Sequence, residues 1–177
     1  MEKQGRKISI AVNLSSKDLR DETIVDYISE KIIEYDVNPG LFEIELTERH
    51  MVEDEVKVSK LLNKIRKLGI KVSLDDYGTG HNSMMYLIHM AFHFDYIKID
   101  KLFIDKIMEP NTKALMKGVI NAAHGGGSQI IAEGVESTEQ RDLLREIGCD
   151  IIQGYYYSKP LMPREIEKFM TKNTVLH

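Results

Sequence analysis

Six short apolar runs, each followed by a segment of helical periodicity, constrain this chain more than any other feature. The runs are Ile8 to Ser15, Leu41 to Thr47, Ile70 to Asp76, Asp95 to Asp100, Ser128 to Gly134 and Ile151 to Tyr155. Runs this short and this apolar read as buried strands of a parallel sheet, because helices on both sides of such a sheet leave few strand positions for water. Between them, Ile24, Val25, Ile28, Ile32 and Tyr35 recur at helical spacing until Asn38-Pro39-Gly40 stops the helix. Val58, Leu61, Leu62, Ile65 and Leu68 predict a second helix with Gly69 as its C-terminal cap, and a shorter one is expected around Ser83 to Met90. Leu115, Met116, Val119, Ile120 and Ala123 mark the next. Ser137 and Gln140 have capping-box spacing ahead of Leu143, Leu144 and Ile147, and Pro163 occupies a favoured first helical position ahead of Ile166, Phe169 and Met170. The alternation predicts one α/β domain over residues 1–177, with loose termini at 1–7 and 172–177.

The strands share a second property. Each ends in polar residues: Asn13, Glu45, Asp75 with Asp76, Lys98 with Asp100, Glu133, and Gln153. No Gly-rich phosphate fingerprint follows the first strand, which disfavours a doubly wound nucleotide fold. Functional groups drawn from many successive strand ends are the pattern of a (β/α) barrel's active face, although closing such a barrel takes eight strands and six are counted here. The densest stretch is Ser73-Leu74-Asp75-Asp76-Tyr77-Gly78-Thr79-Gly80, a strand that ends in two adjacent acids and a flexible loop. Adjacent carboxylates repel unless a cation or strong donor lies between them. Asp-Asp before Gly is also ordinary turn chemistry, and a single Asn or Glu at a strand end is more often a cap than a ligand. Independent capping does not explain acids at several strand ends in register. Together they offer an all-oxygen donor set suited to magnesium, manganese or calcium, and two such ions would clamp a phosphodiester. Lys98 in the same mouth would hold a water or stabilise charge on phosphate oxygens. A Schiff-base lysine is the alternative, disfavoured because surrounding carboxylates raise a lysine's pKa.

Composition narrows the function classes. Hydrophobic residues make up 42% and charged residues 29% of the 177, the balance of a soluble globular protein, and a net charge of −4 argues against a nucleic-acid polymer as partner. Cys149 is the only cysteine, so an intramolecular disulfide is excluded and a reducing cytoplasm fits. No apolar run reaches the length of a membrane span. Three histidines near the acid loop, His81, His89 and His93, share no metal-ligand spacing with the strand-end acids.

Six motifs in order now carry a resemblance: Asn13-Leu14-Ser15, Glu45-Leu46-Thr47-Glu48, Asp75-Asp76-Tyr77-Gly78-Thr79-Gly80, Lys98-Ile99-Asp100, Ala132-Glu133-Gly134-Val135-Glu136 and Gln153-Gly154-Tyr155. The chain from Ile8 to about Met170 resembles the EAL-domain family, bacterial cyclic-di-GMP phosphodiesterases on a modified TIM barrel. The resemblance implies a fold of TIM type, N-terminally truncated, with about six βα units. It implies that Asn13, Glu45 and Asp75 bind one metal ion and Asp75, Asp76 and Glu133 a second, Mg2+ or Mn2+. Lys98 would contact the catalytic water or act as base, and Glu48 would anchor the loop Tyr77-Gly78-Thr79-Gly80. Glu136 and Gln153 match further substrate-binding positions. The implied reaction is hydrolysis of cyclic-di-GMP to linear pGpG. The sequence departs from the family in lacking the Glu-Ala-Leu motif, and with it a metal-ligand Glu and a substrate-contacting Arg; His81 replaces an aromatic residue, and His124-Gly125-Gly126-Gly127 interrupts a helix end. Hydrolysis by this chain alone is therefore expected to be weak or absent. A homodimer, or association through exposed barrel edges, is expected. The alternative expectation is a non-catalytic module that binds cyclic-di-GMP or docks a protein.

Overall fold

In a computed structural model of the protein, residues 8–21, 23–47, 55–78 and 94–172 are described. Six strands, β1 (Ile10–Asn13), β2 (Phe42–Thr47), β3 (Lys71–Tyr77), β4 (Tyr96–Ile99), β5 (Gln129–Ala132) and β6 (Ile151–Ile152), pair in sequence order into one parallel sheet. The sheet is curled into a half-barrel with β1 and β6 as its edges. Seven α-helices stand among the described residues: α1 (Ser16–Arg20), α2 (Ile24–Glu34), α3 (Glu55–Lys67), α4 (Lys101–Ile104), α5 (Pro110–Gly125), α6 (Thr138–Glu146) and α7 (Pro163–Lys172).

The two-residue period of the strands decides what is buried where. Ile44 and Leu46, Val72 and Leu74, Ile97 and Ile99, and Ile130 and Ala132 form one continuous core with Val58, Leu62 and Ile65 of α3, Met116 and Ile120 of α5, and Leu144 of α6. The intervening positions carry Glu43, Glu45, Ser73 and Lys98, which are buried although polar. One face of the half-barrel is thus sealed by helices, and the other gathers charge.

Three expectations need correction. The first strand is not buried: all four residues of β1 are exposed, with Ile10 at 59% and Val12 at 40%, because β1 is an edge paired only with β2. The sixth strand stops at Ile152 rather than Tyr155, since the Gly154 region turns against Val135, with Val135 donating to the Gln153 carbonyl and Tyr156 donating to that of Val135. Helices α1 and α4 are additional elements. Ser15 and Asp18 make a capping box on α1, and Asp100 caps α4 by accepting from the Leu102 backbone at 2.8 Å. Helix α5 runs through His124 to Gly125, so the glycine run forms the end of the helix ahead of β5. The helix expected around Ser83 to Met90 lies outside the described residues.

Cys149 packs where α6 leads into β6, its Sγ donating to the Ile151 carbonyl at 3.3 Å. Burial pushes its thiol up to about 11. A thiolate is the reactive species, so Cys149 should react with iodoacetamide near neutral pH roughly a hundredfold more slowly than a free thiol. A rate equal to that of glutathione would show that the thiol is not shielded this way.

Candidate active site

Parallel strands deliver their last side chains to one end of the sheet, and the registers set which groups meet there. Asn13 of β1 stands opposite Glu45 of β2, and Thr47 of β2 opposite Asp75 of β3. A register shift between Leu74 and Tyr77 then separates β3 from β4 where Asp75 and Asp76 lie. Asp76 takes a left-handed backbone conformation, φ 55°, and its N–H donates to Asp75 Oδ1 at 3.0 Å. That conformation is uncommon outside glycine, although Asp is among the residues that adopt it most readily.

Lys98 is the hub. Its Nζ lies 2.6 Å from Glu45 Oε1, 3.1 Å from Asp75 Oδ1 and 3.0 Å from Glu133 Oε1, and its side chain is 7% exposed. Three strands, β2, β3 and β4, and the residue following β5 supply the four groups. Burial alone would push the Lys98 ammonium toward neutrality; hydrogen bonds to Glu45 and Glu133, with the charges of Glu133 and Asp75, outweigh it and hold the group above the ordinary lysine value. In this arrangement the Lys98 ammonium donates hydrogen bonds to the carboxylates around it. Glu133 is shifted upward too, but by burial: desolvation raises its carboxyl above the usual range, and Lys98 only partly offsets this.

Three carboxylates around one ammonium leave a surplus of negative charge. Among the described residues no group of three or more acids, histidines or cysteines is arranged to hold a metal ion, and the Lys98 ammonium lies within 3.1 Å of all three carboxylates. The donors nonetheless fit a hard divalent ion in kind, being all oxygen and under-neutralised.

The remaining expected residues are more scattered. Asn13 is exposed on the edge strand. Gln153 is exposed just beyond β6, with its N–H donating to the Ala132 carbonyl. Glu136 turns to Lys101, 3.0 Å from its Nζ. Tyr77 is buried and Gly78 lies under Phe103. Glu48, Thr79 and Gly80 lie outside the described residues.

Glu43 was not among the expected site residues. It shares the charged face with Glu45, is 8% exposed, and its Oε1 has no hydrogen-bond partner among the described residues. Burial raises its carboxyl, opposed by a hydrogen bond from Ser73. The period-two pattern already placed it beside Glu45, and that was the available signal.

The EAL domain family model matches residues 1–160. The chain is 36% identical over 168 residues to the signaling protein YkoW of Bacillus subtilis, covering 94% of this chain and 21% of YkoW. It is 32% identical over 158 residues to the cyclic di-GMP phosphodiesterase RocR of Pseudomonas aeruginosa, covering 89% of this chain and 40% of RocR. Among solved structures, the EAL enzyme Bd1971 bound to cAMP and cyclic-di-GMP superposes with a TM-score of 0.85 at 31% identity, over 92% of this chain and 43% of that one. A manganese/cy-diGMP complex of BlrP1 from Klebsiella pneumoniae gives 0.81 at 25%, over 90% and 41%. The chain thus spans between about a fifth and two fifths of the length of these curated relatives. With the family model covering most of its length and the strand-end acids assembled around Lys98, the chain belongs to the EAL domain family.

Proposed function

We propose that this chain carries the acidic face of a metal-dependent cyclic-di-GMP phosphodiesterase, which opens the cyclic dinucleotide to linear pGpG. The observation that carries the reading is the convergence of Glu45, Asp75 and Glu133 on Lys98 at the carboxyl ends of parallel strands. The manganese complex of a structural neighbour supports a divalent ion, Mg2+ or Mn2+, as cofactor. Asn13, Glu45 and Asp75 would hold one ion, and Asp75, Asp76 and Glu133 the other. When bound, such ions neutralise phosphate charge and activate water.

The protein's own groups do the rest. Lys98 offsets the repulsion among the carboxylates and donates toward the attacking water or a phosphate oxygen. Water adds to phosphorus as one bond from phosphorus to a 3′ oxygen breaks, and that oxygen leaves with a proton. Glu48 would anchor the loop from Tyr77 to Gly80, and Gln153 and Glu136 would line the substrate side. Among the described residues no helix is long and apolar enough to cross a membrane, and the reading places the chain in the cytoplasm, associating as a homodimer or through its edge strands.

Exposure of Asn13 on an edge strand supports a second reading, a module that binds cyclic-di-GMP without cleaving it. Calorimetric titration of cyclic-di-GMP into the Mn2+-loaded chain, followed by assay for pGpG, separates the two. Binding with slow turnover that disappears in Asp75→Asn is expected. Binding without product supports the second reading, and no binding overturns both.

A further inference from the structure

The loop that carries Glu133 is held from its outer side by a residue that no sequence pattern singled out. We propose that Lys101 is a positioning residue, latching the loop after β5 so that Glu133 keeps its carboxylate in the Lys98 cluster; this rests on the metal-dependent reading above.

Glu133 is followed by Gly134, whose φ of +72° makes it the swivel of the loop. On either side the backbone is pinned: the Glu133 N–H donates to the Ile99 carbonyl at 3.0 Å, and that of Val135 to the Gln153 carbonyl at 3.1 Å. Lys101 sits on the swivel itself. A Cβ built at Gly134 would lie 2.6 Å from Lys101 Cγ and 2.7 Å from its Cβ, so the lysine stem fills the space a side chain would need. Its Nζ then reaches the Gly134 carbonyl at 3.4 Å, Glu136 Oε1 at 3.0 Å and Asp105 Oδ1 at 2.9 Å.

The placement is specific. Lys98 and Lys101 flank Asp100, which caps α4, so the turn from β4 into α4 presents one ammonium to Glu133 and the other to Gly134 and Glu136. Exposed ion pairs contribute little to stability by themselves. Three acceptors around one ammonium, with the stem packed on a glycine, instead restrict the direction in which the loop leaves β5. Outer contacts of this kind orient the groups that hold a metal, and their loss typically weakens metal affinity by about tenfold or more.

The test compares the parent chain with Lys101→Met, Lys101→Arg and Glu136→Gln. Free Mn2+ is followed by electron paramagnetic resonance during titration, and hydrogen exchange is read at the Val135 and Glu136 amides. Lys101→Met should weaken Mn2+ binding about tenfold and speed exchange at those two amides, with exchange in α5 unchanged. Lys101→Arg should restore both, and Glu136→Gln should give a smaller loss. Unchanged Mn2+ affinity and unchanged exchange in Lys101→Met overturn the latch. If the parent chain binds no Mn2+, the metal reading fails, and exchange at Val135 and Glu136 decides the latch alone.

Discussion

Lys98→Met is expected to destabilise the chain by about 3–5 kcal/mol in the absence of divalent ions, the cost of removing one partner from a buried ion cluster. The variant keeps most of the unbranched stem and removes the ammonium with its charge and donors, leaving Glu45, Asp75 and Glu133 facing one another with side-chain exposures of 12%, 14% and 20%. Two further outcomes separate this from a simple packing defect. Lowering the pH should return stability, because burial holds the Glu133 carboxyl above its usual value and the variant removes the Lys98 charge that opposes this; the folded state then binds more protons, and stability falls as pH rises through that interval. Adding Mn2+ should stabilise the variant more than the parent, since an ion bound only by the folded state shifts the equilibrium by mass action. Urea denaturation with and without Mn2+, at acid and neutral pH, measures all three. A variant as stable as the parent under every condition would mean that the lysine does not hold the cluster together. Hydrolysis of cyclic-di-GMP, where the parent shows it, should be lost.

The second large effect is expected at Gly154. A Cβ there would lie 2.1 Å from the Val135 carbonyl oxygen and 2.3 Å from its nitrogen, both backbone atoms that cannot rotate away. Gly154→Ala should therefore push β6 from the loop after β5, breaking the bonds from Val135 to the Gln153 carbonyl and from Tyr156 to the Val135 carbonyl. Overpacking against flexible side chains costs about 1–3 kcal/mol, and a rigid neighbour places this case at or above the top of that range. The thermal midpoint should fall by several degrees or more, with the loss of order centred on residues 151–157. A midpoint within a degree of the parent would show that β6 relaxes freely, and would weaken its assignment as the sheet's last strand.

Much of this architecture was legible beforehand. Ile44, Leu46, Val72 and Leu74 announce their strands by apolar character, Ser137 and Gln140 announce the start of α6, and Pro163 stands at the start of α7. The strand-end residues Glu45, Asp75, Lys98 and Glu133 were also identifiable, because their chemistry is written at fixed points relative to those strands. Less legible was how they would be used. Asn13 and Glu45 are equally good donors on paper, but one is exposed on an edge and the other is buried. Glu136, matched to a substrate position, meets Lys101, a partner 35 residues away that no periodicity connects to it.

The division has a physical origin. Periodicity, capping and the order of polar strand ends are properties of residues a few positions apart, and local sterics and hydrogen bonding settle them in the sequence by itself. Those interactions determined the parallel sheet, most of its helices and the identity of the acids. Which acid meets the lysine and which glycine has backbone pressed against it depend on pairings across the sheet. The bond from Lys98 to Glu45 joins residues 53 apart. Only the tertiary structure decides such pairings, because the energy of a buried charge is set by what surrounds it and not by its neighbours in the chain.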